Sequence, residues 1–334
     1  MKRTFIDPFL IALVAVVGIA YIFPYPGTKA SPFHLDEIAD FGVSLIFLFY
    51  GVQLGPEKLK AGLSNFRLHI IIHVSTFILF PLIVILCRPL FYTSFLQQTW
   101  LPFFFLAALP STVSSSVVMV SIAGGNIPAA IFNASISSLI GVFITPIWMS
   151  IFMQQNGNIE LGSVIGKLLL QVLLPVVIGL LLNKRFGEYA ASKKPALKLF
   201  DQTIILLIVY CSYCESFEEG VFKGFALSNL LLLLVMVTVL LMFVYELINL
   251  LTRLLHFSRE DRITASFCGS KKSLVHGSVM SKVLFANAPN SGLVLLPLML
   301  YHGVQLLIIS IAARKMQQAK NNGIAERLDR PGSV

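Results

Sequence analysis

Charge is the scarcest commodity in this chain. Only 12% of its 334 residues are Asp, Glu, Lys or Arg, against about a quarter in a soluble domain. With 56% hydrophobic residues, that shortage excludes a soluble globular protein and points to a membrane protein whose spans fill most of its length. Cysteine is nearly absent too. Cys87, Cys211, Cys214 and Cys268 all lie in or beside apolar segments, so no disulfide scaffold is expected. Catalytic signatures are missing: there is no nucleophile elbow, phosphate loop, zinc-protease helix or pair of midspan aspartates. An enzyme is therefore not expected, nor any cofactor beyond a candidate Na⁺ ion. No basic block with interleaved aromatics points to nucleic acid.

What is present is a series of apolar runs. At ~20 residues per span, ten can be drawn: Pro8–Phe23, Ile38–Leu54, His69–Leu90, Leu101–Ala123, Ile127–Met153, Val164–Leu182, Leu199–Tyr213, Phe225–Leu251, Ile263–Phe285 and Gly292–Ala313. The first follows Lys2 and Arg3 as a signal peptide would, but it lacks a small-x-small cleavage site and reads as a retained span. With the N-terminus inside, the inner segments hold Lys2, Arg3, Lys58, Lys60, Arg67, the loop Lys184 to Lys198, Arg253, Arg259, Arg262 and the basic residues from Arg314 to Arg330. The outer segments hold only Lys29, Arg88, Lys167 and Lys223. This alternation supports ten spans with both termini cytoplasmic, and the short loops favour a bacterial cytoplasmic (inner) membrane.

Ten spans divide into five and five. An odd number per half turns the second half over, which is an inverted repeat. Residues 1–153 then form the first repeat, 154–316 the second, and 317–334 a polar cytoplasmic tail expected to be mobile. Two echoes agree: Asp40 and Asp201 open the second and seventh spans, and Asn126 and Asn287 follow the fourth and ninth, at the same separation.

Those two spans are the anomalous ones. The fourth carries Pro110-Ser111-Thr112-Val113-Ser114-Ser115-Ser116 and ends at Gly124-Gly125-Asn126, after which the fifth span brings Asn133, Ser135, Ser137 and Ser138. The ninth carries Cys268-Gly269-Ser270-Lys271-Lys272-Ser273, His276, Ser278, Ser281 and Lys282. Hydrocarbon offers no partner to such groups. Interrupted spans in corresponding positions of two halves are where transporters keep their binding sites. Ser114, Ser115, Ser116, Asn126, Asn133 and Ser137 are the oxygen donors a small cation would use, and Asn133 and Ser137 share a helix face. Helix packing through small residues is the alternative use of the same residues.

Lys271 and Lys272 stand out most, because a charge in mid-span is expensive. With Gly269, Ser270 and Ser273 they form a candidate substrate-binding or coupling group. A lysine there would bind a substrate's negative charge, take a cation's place, or carry a coupling proton. Glu246 is a candidate partner for Lys271, Lys272 or Arg253. Two weaker features have bland alternatives: Cys211-x-x-Cys214 reads as redox or metal chemistry or as helix packing, and His69 with His73 as a metal pair or as packing histidines.

These residues also carry a resemblance. Phe41-Gly42-Val43-Ser44-Leu45-Ile46-Phe47-Leu48-Phe49-Tyr50-Gly51-Val52-Gln53-Leu54 resembles the second span of the bile acid:sodium symporter family. Leu109 to Ser116 with Gly124-Gly125-Asn126 is similar to its fourth span. Gly269-Ser270-Lys271-Lys272-Ser273-Leu274 looks like the ninth span of a divergent branch, that of the vertebrate cotransporter 7 proteins and their bacterial homologues. The resemblance covers essentially the whole chain. It implies an all-α fold of two inverted five-span repeats. The first, second, sixth and seventh spans would form a panel domain and the rest a core whose fourth and ninth spans are broken and cross. Family members move organic anions such as bile acids with Na⁺, and their cation ligands map approximately onto Ser114, Ser115, Ser116, Asn133 and Ser137. One departure stands out. Where sodium-coupled members carry a carboxylate and then an amide around the ninth-span glycine, this chain has Phe267 and Lys271.

The expected function is a secondary active transporter for a small organic anion, working by alternating access in a lipid bilayer, with Na⁺ coupling open. The alternatives are a proton-coupled transporter on the same fold and a membrane regulator that moves nothing.

Overall fold

The computed structural model describes residues 8–53, 65–112, 114–153, 166, 169–223, 225–285 and 290–328. Lys2, Arg3, Lys58, Lys60, Val113, Lys167, Asn287 and Arg330 lie outside them. Among the described residues the fold is helical and contains no strand. In chain order the helices are α1 (Pro8–Ile22), α2 (Leu35–Gln53), α3 (Phe66–Leu86), α4 (Ser94–Ala108), α5 (Ser114–Ala123), α6 (Ile127–Met153), α7 (Leu170–Ser192), α8 (Lys194–Glu218), α9 (Leu227–Leu254), α10 (Arg259–Gly269), α11 (Leu274–Leu284) and α12 (Ser291–Leu328).

Six of these are long and apolar enough to cross a membrane: α3, α6, α7, α8, α9 and the Ser291–Gln318 part of α12. α1 is apolar but shorter, and α2 carries Asp36 and Glu37 in its first turn. The two polar stretches each form a pair of short helices, α4 with α5 and α10 with α11.

Helix starts follow local chemistry. Asn65, Thr93, Ser258 and Ser273 precede α3, α4, α10 and α11, and each side chain accepts a first-turn N–H (from Leu68, Leu96, Asp261 and His276). Asn126 does the same for α6, accepting from Ala129 N at 3.1 Å. Gly124, at φ 73°, provides the left-handed turn that ends α5.

Three sequence expectations need correction. The sixth span, expected at Val164–Leu182, is described at residue 166 and from residue 169, and is a helix that runs on to Ser192, while Val164 lies outside the described residues. The basic loop Lys184 to Lys198 is instead the end of α7 and the start of α8, meeting at a turn at Lys193. The chain past Gln317 continues as α12 to Leu328, and residues 329–334 of the expected tail lie outside the described residues. Straight-chain and Ala-rich sequence is good helix former even when polar, which explains both.

α2 packs on α7, α1 on α8 and α2 on α8. The α2–α7 crossing is glycine-mediated: a Cβ on Gly179 would run into the Leu48 carbonyl, and one on Gly51 into that of Val176. Elsewhere α4 packs on α6 and α12, α5 on α6 and α12, and α10 on α3, α5, α6 and α9. The two polar stretches are therefore in the middle of the second group of helices.

Candidate functional site

The site is best built from the carbonyls that two prolines leave without donors. Pro110 has no N–H, and the chain at Leu109 turns extended (φ −71°, ψ 153°), so α4 stops there. The last carbonyls of a helix then need other partners. Each has one. Ala107 O and Leu109 O accept from Lys272 Nζ at 2.6 and 2.8 Å. Ala108 O accepts from Thr145 Oγ1 at 2.7 Å. Pro110 O accepts from Ser273 N at 2.9 Å. The second proline, Pro81, cannot donate to Phe77 O, and Trp148 Nε1 does so at 2.8 Å. The helix widens at this point: Phe80 N–H reaches back to Ser75 O, which leaves Thr76 O for Lys272 Nζ at 2.8 Å.

The second break lies at Ser270–Ser273, between α10 and α11, and it meets the first. Besides the Ser273–Pro110 bond, Ser111 Oγ donates to Cys268 O at 2.5 Å. Ser111 N donates to Ser137 Oγ at 3.0 Å, tying the first break to α6. α12 supports the second break: Gln305 accepts from Lys272 N and donates to Lys272 O, both at 2.9 Å, and Tyr301 OH donates to Ser270 O at 2.5 Å.

Both lysines are fully buried and serve different oxygens. Lys272 Nζ donates to the three carbonyls and lies 4.2 Å from the Phe80 ring centroid. Lys271 Nζ donates to Ser115 Oγ at 2.7 Å. Ser115 in turn donates to Thr112 Oγ1, which shares a 2.7 Å bond with Ser116 Oγ. Among the described residues neither lysine forms an ion pair. Charge-assisted bonds of this kind are each worth about 1.5–3 kcal/mol. They are needed, because a buried ammonium without them is strongly unfavourable.

The sequence-predicted residues divide as follows. Ser115, Ser116, Lys271 and the Thr112 hydroxyl come together, as do Ser137, Ser111, Gly269, Ser270, Lys272 and Ser273 around the two breaks. Ser114 opens α5. Asn133 is buried on α6; its Nδ2 donates to Ala129 O, and among the described residues its Oδ1 has no hydrogen-bond partner. Asn126 is not brought to the hydroxyls. It starts α6, eleven residues before Ser137, or about 16 Å along the helix, where its Nδ2 donates to Asp261 Oδ1 at 2.9 Å. Asn65 Nδ2 donates to the other Asp261 oxygen at 2.8 Å, so one carboxylate ties together the starts of α3, α6 and α10.

Glu246 is exposed on α9, where it accepts from Asn249 Nδ2 at 3.4 Å, and among the described residues it forms no ion pair with Lys271, Lys272 or Arg253. His69 and His73 pack against Phe132 and Phe77. Cys211 and Cys214 are free thiols, and no group of three metal-ligating side chains occurs among the described residues.

Sequence reasoning missed Gln305 and Tyr301. A glutamine four residues after a tyrosine in an otherwise apolar span was the available signal. It also missed the Thr76, Ala107 and Leu109 carbonyls, which every residue type carries. Lys282 and Asp40 form an ion pair at 3.0 Å joining α11 to α2, and Lys282 also donates to Asp36 O.

Two polar breaks that meet inside a bundle of membrane-length apolar helices, with two buried lysine side chains between them, mark a multi-pass membrane transporter rather than an enzyme. The chain belongs to the SBF-like CPA transporter family, whose model matches residues 7–318. It is 37% identical over 328 residues to an uncharacterised protein of Pseudomonas aeruginosa, covering 97% of each chain. It is 36% identical over 323 residues to an Escherichia coli protein provisionally named symporter YfeH, covering 94% of this chain and 93% of that one. It is 29% identical over 306 residues to the zebrafish (Danio rerio) sodium/bile acid cotransporter 7, covering 91% of each.

Proposed function

We propose that this protein is a secondary active transporter that moves a small organic anion across the membrane by alternating access. The observation that carries the reading is the pair of helix breaks joined at Pro110 and Ser273, with Lys271 and Lys272 between them. Positive charge, freed carbonyls and hydroxyls at one crossing are what an anion and its coupling ion require. The names of two relatives, a symporter and a sodium/bile acid cotransporter, point the same way.

The proposal extends to architecture. The half-helices α4 with α5 and α10 with α11 each count as one span, giving ten in two inverted five-span repeats with both termini cytoplasmic. The mutual packing of α1, α2, α7 and α8 supports a panel that moves against a core formed by the other helices. Lys282 and Asp40 would join the two at the outer end.

Na⁺ coupling would use Ser115, Ser116, Asn133 and Ser137, where the Asn133 Oδ1 is an available oxygen. One observation favours a second reading, proton coupling. Ser115, a hydroxyl expected to bind Na⁺, already accepts from Lys271, so this lysine competes for that place. Proteoliposomes loaded to impose either a Na⁺ or a pH gradient, tested with a panel of radiolabelled organic anions, separate the two. Na⁺-driven uptake indifferent to pH supports sodium coupling. Uptake that follows the pH gradient and ignores Na⁺ supports the proton. Uptake of no anion under either gradient contradicts the transport reading.

A further inference from the structure

Lys271 and Lys272 are adjacent, equally buried and yet differently held. The three hydrogens of the Lys272 ammonium have three acceptors, the carbonyls of Thr76, Ala107 and Leu109, contributed by two helices. On Lys271, among the described residues, one bond goes to one hydroxyl of partly buried Ser115. A lysine held only by a hydroxyl can exchange that partner. A lysine held by three carbonyls fixed in backbone cannot do so without leaving all three bare.

Those carbonyls are fixed by features independent of residue 272. Thr76 O is freed by the widened turn that precedes Pro81, and Ala107 O and Leu109 O by the end of α4 at Pro110. All three would converge whatever side chain reached them. The negative end of α4 lies on the same side, and the Phe80 ring adds an aromatic face 4.2 Å from the ammonium. No carboxylate pairs with this ammonium among the described residues. Neutral carbonyls with an aromatic face suit a monovalent, easily dehydrated cation. Hard divalent cations require carboxylates or retained water, whereas rings of backbone carbonyls replace the hydration shell of potassium-sized ions.

We propose that the Thr76, Ala107 and Leu109 carbonyls and the Phe80 ring form a built monovalent-cation seat that the Lys272 ammonium occupies as a tethered cation. Shortening the side chain opens the seat to free ammonium or potassium. The proposal concerns the same crossing as the transport reading, but binding alone tests it. A protein that moved nothing would still respond, and one that transports could still fail the test.

The experiment is thermal unfolding of the detergent-purified protein in choline chloride, with NH₄Cl, KCl or NaCl substituted at constant ionic strength. Lys272→Ala should unfold at a lower temperature than wild type in choline. It should recover with a saturable rise in ammonium or potassium, as a ligand specific for the folded state requires, and wild type should show no such rise. Lys272→Met, whose side chain blocks the seat, should be destabilised and not rescued. A folded Lys272→Ala that treats ammonium, potassium and choline alike overturns the proposal, as does equal rescue of Lys272→Met. If Lys272→Ala folds in no salt, reductive methylation of native wild type decides. Lys272 should be spared until unfolding, and its modification in the folded protein overturns the proposal.

Discussion

The amide of Ser273 donates to the carbonyl of Pro110 across 2.9 Å, so the two interrupted stretches of this chain are tied to each other at their breaks. Each break satisfies what the other leaves open. Pro110 exposes carbonyls, and Ser273 and Lys272 supply donors. Loss of the break at Pro110 should therefore reach Lys272.

Pro110→Ala restores an N–H and lets α4 extend through Leu109. If the helix then runs on past residue 110, Ala107 O and Leu109 O would return to its ladder, leaving Lys272 with Thr76 O on α3. We expect anion transport to fall at least about tenfold, which corresponds to a misplacement worth about 1.4 kcal/mol, with the protein still folded. Uptake into proteoliposomes, alongside size-exclusion profiles, checks this.

Gln305→Leu removes both hydrogen bonds that hold the Lys272 backbone and leaves a buried amide N–H and carbonyl without partners. A loss of about 1–3 kcal/mol is expected, read as a lower unfolding temperature in detergent. Gln305→Glu keeps an acceptor for Lys272 N but sets an oxygen against Lys272 O, so it should lose stability too.

Gly179→Leu should force α2 and α7 apart, since even a Cβ there meets the Leu48 carbonyl. Overpacking of this kind costs about 1–3 kcal/mol. The same substitution at Gly18, where a Cβ would meet nothing within 4 Å, is the control and should not lower the unfolding temperature.

Asp40→Asn breaks a partly exposed ion pair, its side chains 43% and 15% accessible on Asp40 and Lys282. The stability effect should stay within about 1 kcal/mol. If α2 moves against α11 during transport, the larger effect falls on rate. Reversing the pair, Asp40→Lys with Lys282→Asp, should recover part of the lost transport.

Much of this was legible beforehand. Scarce charge and apolar runs give a membrane bundle, and runs of Ser with Pro, and of Ser with Lys, mark two stretches too polar to be plain spans. The sequence also singled out Lys271 and Lys272, because charge in hydrocarbon needs a reason. It could not say which oxygens they reach. Thr76, Ala107 and Leu109 contribute carbonyls, and a carbonyl leaves no mark in an amino-acid code. Asn126 misled for a related reason: it follows the serines in the chain, but α5 and the start of α6 carry it away to Asp261. Helix ends were misread where polar sequence continues a helix, as at Lys184 to Ser192 and beyond Gln317.

The central claim is that the lysines at the crossing serve transport of an organic anion. Its most direct test is uptake by proteoliposomes of wild type and of a Lys271→Ala, Lys272→Ala double variant, over the same anion panel and both gradients. The account predicts that wild type concentrates at least one organic anion, and that the folded double variant loses at least about 90% of that uptake, a barrier change of about 1.4 kcal/mol or more. A double variant that folds and transports like wild type would contradict it.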